Sequence, residues 1–223
     1  MKREKLLTAD GSFTVRIDEM NVTYHSTHGA VQESMHVFIR AGLDQVRLKK
    51  RTIRIFEMGF GTGLNALVTI DQAVKYGLAI HYEAVEAFPL VELSPDEFNY
   101  SSMMETSDLA EFFRKFHNGP WNEWFSVSDF FSLKKSAIRL QDYPMPEAPF
   151  DLIYYDAFAP GAQPELWTVE IFRQLYDMTA PEGILVTYCS KGDVRRAMIA
   201  AGWEVEKIPG PPGKREMLRA LKQ

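Results

Sequence analysis

The chain has a single cysteine, Cys189, set in an apolar stretch, so it can form no internal disulfide and no cysteine-rich metal site. It has no run of about eighteen apolar residues, the minimum for a membrane-spanning helix. Met1-Lys2-Arg3-Glu4-Lys5-Leu6-Leu7 gives way at once to Thr8-Ala9-Asp10-Gly11, which leaves no apolar core for a signal peptide. A cytoplasmic protein without membrane attachment is expected. Internal repeats and low-complexity segments are also missing. At 223 residues the chain suits one α/β domain with decorations and leaves no room for a second catalytic domain. Residues 1–52 are read as an N-terminal extension packed on a core of residues 53–223.

Positive charge is scarce in the middle of the chain. Residues 1–54 carry ten Lys/Arg against six Asp/Glu, residues 191–223 eight against four, and the stretch between them seven against twenty, within a net charge of -5. Basic ends gathered on one face would hold a polyanion despite the acidic total, because phosphates respond to local potential. Ordinary solvation of a charged surface is the alternative.

The densest signal is Ile53-Arg54-Ile55-Phe56-Glu57-Met58-Gly59-Phe60-Gly61-Thr62-Gly63-Leu64-Asn65. A β-rich run ends on an acid, breaks into three alternating glycines, and continues apolar at helical spacing through Leu64, Leu67 and Val68. Strand, glycine turn and helix start together let a ligand lie against bare backbone and free N–H groups. Gly61 to Ala66 satisfies a dinucleotide fingerprint. The turn, however, begins at Gly59, and E-x-G-x-G-x-G is the pattern of S-adenosylmethionine methyltransferases. Glu57 suits an ammonium-bearing amino-acid head and would repel a pyrophosphate. The next strand, Ala79 to Glu86, ends on a carboxylate 23 residues after Gly63, placed to accept ribose hydroxyls of either ligand.

Two short alternating runs, Phe13-Thr14-Val15-Arg16-Ile17 and Asn21-Val22-Thr23-Tyr24, read as a hairpin. Met35, Phe38 and Ile39 mark a helix stopping at Gly42, and Leu109, Phe112, Phe113 and Phe116 form the core face of another. Strands recur at Trp124-Phe125-Ser126-Val127 and at residues 150–155, 183–188, 203–208 and 216–220, with a helix over Pro164–Met178. Alternating strands and helices predict a mostly parallel, doubly wound sheet. The last two strands have only Pro209-Gly210-Pro211-Pro212-Gly213-Lys214 between them, so the final strand is expected to return antiparallel.

Tyr154-Tyr155-Asp156-Ala157-Phe158-Ala159-Pro160 puts a carboxylate where the fourth core strand ends, beside the glycine turn in such a sheet. An acid followed by an aromatic and a proline suits amine methylation. The carboxylate can accept the amine proton, the ring can shelter a planar base, and the proline stiffens the loop.

Tyr24-His25-Ser26, the segment Phe56–Asn65, Val85-Glu86-Ala87-Phe88-Pro89-Leu90, Asp156-Ala157-Phe158-Ala159-Pro160 with Pro164-Glu165-Leu166-Trp167, and Gly213-Lys214-Arg215-Glu216-Met217-Leu218 resemble one family in order and spacing. It is the methyltransferase family that completes 5-methylaminomethyl-2-thiouridine at the tRNA wobble position, found as the N-terminal half of the bifunctional protein MnmC and alone as MnmD. The resemblance covers residues from about 13 to 220. It implies a class I, Rossmann-like, seven-stranded sheet with an antiparallel last strand, and S-adenosylmethionine as methyl donor without FAD or metal. The residues implied to hold the donor are Tyr24, Ser26, Glu57, Gly59, Gly61, Gly63, Asn65, Glu86 and Asp129, the last following the third strand and facing the adenine. Asp156 is implied to face the aminomethyl nitrogen. Phe158 is expected to stack on the base, and Arg195, Arg196, Lys214 and Arg215 to hold phosphates of the anticodon loop. The sequence ends at Gln223, so the oxidase chemistry of the bifunctional form is not expected, and no obligate protein partner is evident. An aminopropyltransferase or small-amine methyltransferase shares the strand-end acid. An NAD-binding oxidoreductase and a silent RNA-binding partner are the readings from other classes.

Overall fold

The computed structural model describes residues 3–90 and 94–223; Met1 and Lys2, at the start of the segment read for a signal peptide, lie outside them. The chain opens with β1 (Arg3–Leu7), β2 (Phe13–Ile17) and β3 (Val22–Thr23), a three-stranded antiparallel sheet in the order β1-β2-β3. The hairpin foreseen at residues 13–24 is thus present, with β1 added along its edge. A helical stretch follows: α1 (Ala30–Ser34), a π-helical segment (Met35–Leu43) and α2 (Asp44–Val46).

The core then alternates β4 (Thr52–Met58), α3 (Leu64–Tyr76), β5 (Ala79–Val85), α4 (Leu109–Asn118), β6 (Trp124–Ser128), β7 (Phe131–Ser136), β8 (Phe150–Tyr155), α5 (Val169–Met178), β9 (Thr179–Thr187), α6 (Gly192–Ala200), β10 (Glu204–Pro209) and β11 (Glu216–Leu221). These strands form one sheet in the order β10-β11-β9-β8-β4-β5-β7-β6. The five from β9 to β7 run parallel, and β11 returns antiparallel against β9 and β10. No helix among the described residues is long and apolar enough to cross a membrane.

Alternation along the strands builds two cores. On β4, Ile53 and Ile55 face one core with α3 and α4, while Phe56 and Met58 face the other with α5 and α6. Leu152 and Tyr154 against Ile153 and Tyr155 divide β8 in the same way. Glu57 therefore points into the α3 side, where it is fully buried.

The sheet has eight strands rather than seven. Trp124–Ser128 is an antiparallel edge strand, folded back on β7 through a tight turn at Asp129-Phe130, and the third parallel strand is Phe131–Ser136. That strand reads as polar because it carries Lys134, Lys135 and Ser136. Lys135 is buried nonetheless. Its ammonium donates to the carbonyls of Phe116 and Gly119 (3.0 Å for Gly119) at the end of α4 and lies 4.8 Å from the Trp121 ring centroid, capping a helix C-terminus with positive charge.

Gly42 does not stop its helix. It sits inside the π-helical segment, where a Cβ would lie 3.1 Å from Val186 and 3.2 Å from Leu152, so the missing side chain lets the helix approach β8 and β9. Gly42→Leu should overpack this contact and cost about 1–3 kcal/mol, read as a lower thermal midpoint. An unchanged midpoint would mean that the helix can lift off the sheet freely.

Candidate active site

Parallel strands present their carboxyl ends on one edge, and the chain reverses direction across the sheet between β4 and β8, which opens a crevice there. Asp156 N donates to Met58 O at 3.0 Å, while Gly59 N turns away to Val85 O on β5, also at 3.0 Å. The glycine turn lies in this gap. Gly59 has φ 91° and a Cβ there would sit 3.0 Å from the Asp156 carbonyl oxygen; Gly61 has φ 51° and a Cβ there would sit 2.9 Å from the Tyr24 ring. Any side chain at either position would be strained and would fill the space.

A cavity of about 300 Å³ lies over the turn, lined by Tyr24, Gly59, Gly61, Glu86, Asp156 and Phe158 among others. Glu86, just beyond β5, accepts from Gly61 N at 3.0 Å and from Phe88 N at 2.9 Å. It therefore braces the turn, and each carboxylate oxygen keeps acceptor capacity for a ligand hydroxyl. Tyr24 comes from the N-terminal extension and meets Phe158 edge to face, with ring centroids 5.1 Å apart.

Asn65, in the first turn of α3, joins the two strand-end acids. Its amide nitrogen donates to Glu57 Oε1 and to Asp156 Oδ2, both at 2.8 Å, and its oxygen accepts from the Ser34 hydroxyl. Burial first, then the charge of Asp156, pushes the Glu57 carboxyl well above its ordinary range, against the Asn65 hydrogen bond. Glu57 Oε2 has no hydrogen-bond partner among the described residues. The Tyr82 hydroxyl, also without a hydrogen-bond partner among the described residues, is near enough to act on Glu57. Burial also raises Asp156, from 3.8 to about 7, with Asn65 and Lys214 opposing the shift and Glu33 adding to it.

A second cavity, also about 300 Å³, lies on the other side of Asp156 and Phe158; Tyr24, Ser26, Glu33, Tyr188 and Lys214 complete much of its wall. The loop between the cavities is held by three hydrogen bonds: Phe158 N donates to Gln163 Oε1 at 3.1 Å, Trp167 Nε1 to Phe158 O at 2.8 Å, and the Tyr188 hydroxyl to Ala157 O at 2.9 Å. These bonds account for the spacing between the Asp156-Ala157-Phe158 and Leu166-Trp167 blocks.

Of the residues singled out in the sequence, Tyr24, Gly59, Gly61, Asn65, Glu86, Asp156 and Phe158 line the first cavity. Glu57 lies behind Asn65, and Gly63 starts α3. Ser26 lines the second cavity instead, its N–H donating to Glu33 Oε2 at 2.8 Å. Asp129 requires correction. It occupies the β6–β7 turn, next to Phe131, which pairs with Ile80 near the amino end of β5, and so stands at the edge of the sheet away from the glycine turn.

Lys214 is corrected too. It pairs with Glu33 at 2.7 Å and lies 4.0 Å from the Tyr188 ring centroid, inside the second cavity rather than on a phosphate-binding surface. Arg196 is engaged with Asp193, Arg195 is half-buried and Arg215 is exposed. Glu33, Gln163 and Tyr188 are not singled out by the sequence, since no motif marks them.

The first cavity fits S-adenosylmethionine. The glycine cradle admits a flat ligand, and Glu86 has lone pairs to spare for ribose hydroxyls. Residues 133–223 match the family described as S-adenosyl-L-methionine-dependent methyltransferase. Sheet order, glycine cradle and this match over the C-terminal part of the chain are those of the class I S-adenosylmethionine-dependent methyltransferase fold.

Within that class it is similar to the tRNA 5-methylaminomethyl-2-thiouridine biosynthesis bifunctional protein MnmC of Pseudomonas aeruginosa (strain UCBPP-PA14), 31% identical over 214 residues, covering 87% of this chain and 31% of that protein. The corresponding protein of Pseudomonas syringae pv. tomato is 29% identical over 224 residues, covering 92% of this chain and 32% of its own length. The chain thus spans about a third of these relatives. Its fold also superposes on the crystal structure of MnmC2 from Aquifex aeolicus with a TM-score of 0.80 and 26% identity, covering 98% of this chain and 70% of that one.

The raised Asp156 pKa has a consequence for stability. An acid whose pKa is higher folded than unfolded contributes its stability in full below the unfolded value, here 3.8, and loses it as pH rises through the folded value of about 7. Asp156→Asn, a neutral mimic, should match the wild type near pH 4 and melt at a higher temperature at pH 8. Equal midpoints at both pH values would refute the burial of this carboxyl.

Proposed function

We propose that the chain transfers a methyl group from S-adenosylmethionine to the aminomethyl nitrogen of 5-aminomethyl-2-thiouridine at the wobble position of tRNA. The names of the relatives supply the substrate family. The observation that carries the reading is Asp156 on the wall shared by two cavities, one over the glycine turn and one lined by Tyr24, Phe158 and Tyr188.

S-adenosylmethionine, when bound, supplies an electrophilic methyl group on a sulfonium. The residues must present a neutral amine to it in line. The aminomethyl group is an ammonium in water near neutral pH, and Asp156, ionised above about pH 7, can bind it and take one proton. The neutral amine then carries the lone pair that forms the new C–N bond, and the proton left on Asp156 passes to solvent. Asn65 fixes the carboxylate through Oδ2 and leaves Oδ1 for this exchange. Tyr24 and Phe158 offer faces on which a base unstacked from the anticodon loop can rest. The partner is then tRNA, engaged at its anticodon loop.

Asp156→Asn should keep S-adenosylmethionine affinity while losing roughly 100- to 10,000-fold in single-turnover methylation, the usual contribution of a general base. Wild-type turnover by this variant would remove Asp156 from the chemistry.

For RNA phosphates, α6 and the β10–β11 loop offer Arg195, Arg196 and Arg215, with Lys214 set apart in the second cavity. The triple alanine variant should bind tRNA more weakly, and the log-log salt slope should fall by about 0.7 to 0.9 for each phosphate no longer neutralised. An unaltered slope in the folded variant would move the RNA surface to Arg47, Lys49, Lys50 and Arg51.

A further inference from the structure

Lys214 sits where its chemistry exceeds the needs of the fold. Its ammonium enters the second cavity beside Asp156, anchored from one side by Glu33 Oε1 at 2.7 Å and backed by the face of Tyr188 with the ring centroid at 4.0 Å. Glu33 is itself fixed, since its other oxygen accepts from Ser26 N. An ammonium has three donors; one is committed to Glu33, and those left over belong to a charge already oriented by an ion pair and a π face. Lys214 also acts on Asp156 through space, lowering its pKa against the burial that raises it.

A pyrimidine bearing an aminomethyl group at C5 has its C4 substituent on the adjacent ring atom. A side chain facing the group on C4 must therefore neighbour the side chain facing the amine. In uridine that group is the acceptor O4; in cytidine it is an amino donor. With Asp156 at the amine, the lysine ammonium in the wall of the same cavity, with donors to spare beyond Glu33, is Lys214. Resting on the proposed function above, we infer that Lys214 is a specificity residue that donates a hydrogen bond to O4 of the target uridine and rejects cytidine, with Glu33 and Tyr188 as the residues that position it. An ammonium cannot accept from a cytidine amino group, so the wrong base leaves two donors facing each other.

The test uses two short anticodon stem-loop RNAs that differ only at the wobble base, one with 5-aminomethyluridine and one with 5-aminomethylcytidine. Single-turnover methylation by the wild type should favour uridine. Lys214→Gln places an amide there, whose nitrogen can donate to O4 and whose oxygen can accept from the cytidine amino group, so it should narrow the preference by about ten- to hundred-fold, with part of the change a gain on cytidine. Calorimetric titration with S-adenosylmethionine checks that the site is intact. If loss of the cation alone disturbs the fold by stranding Glu33, the double variant Glu33→Gln/Lys214→Gln removes both charges together and should show the same narrowing.

A folded variant with the wild-type preference, or a wild type indifferent to the base, overturns the assignment to Lys214 and leaves the proposed function standing. A wild type that binds S-adenosylmethionine and methylates neither RNA, and full-length tRNA carrying the aminomethyl group no better, overturns the proposed function and this inference with it.

Discussion

Two carboxyl groups brought to adjacent strand ends, one fully buried and one on the wall of both cavities, set the terms for everything around them. Glu57 closes β4 and Asp156 follows β8, and the parallel register that pairs Met58 with Tyr155 forces their side chains toward each other. Both cannot be comfortably charged at that separation from solvent. A single amide, Asn65, bonds one oxygen of each, and Ser34 holds that amide from the far side. Burial pushes Glu57 well above the usual carboxylate range, whereas Asp156, nearer the cavities and Lys214, is raised to about 7. One pair of like residues is split by environment into a structural acid and a titratable one, the usual route to acid–base chemistry near pH 7.

The N-terminal sheet and the β10–β11 loop give that pair its surroundings. Tyr24 fills the space left by Gly61 and abuts Phe158; Glu33 reaches Lys214; His28 packs against Gly213 so tightly that a Cβ there would sit 2.5 Å from its ring. The Rossmann-like core by itself supplies the glycine turn and the two acids. The second cavity, where a substrate would be read, is built largely from the two ends of the chain.

What was legible in the sequence follows from how local the signal is. The E-x-G-x-G-x-G turn, the acid ending β5 and the acid ending β8 are short-range patterns whose meaning depends only on strand ends facing one way, and the antiparallel return of β11 followed from a linker too short for a helix. The misplacement of Asp129 arose because Trp124–Val127 looks more like a buried strand than Phe131–Ser136 does. The true third parallel strand hides behind Lys135, whose charge is satisfied by carbonyls at the end of α4, a partner remote in the sequence. Gly42 read as a helix stop because nothing nearby shows that β8 and β9 press against it. Lys214 read as a phosphate ligand for the same reason: its partner Glu33 is visible only in three dimensions.

That last separation bears on how the protein comes into being. Glu33 and Lys214 lie 181 positions apart, so on a ribosome the first must wait for nearly the whole polypeptide before the second emerges. Domains fold progressively during synthesis, and the strands and helices between these two residues can pack in the meantime. The wall of the second cavity closes only when the ends meet. A nascent or truncated chain can therefore possess a glycine cradle without possessing the second cavity, whose closure reports completed folding rather than mere collapse.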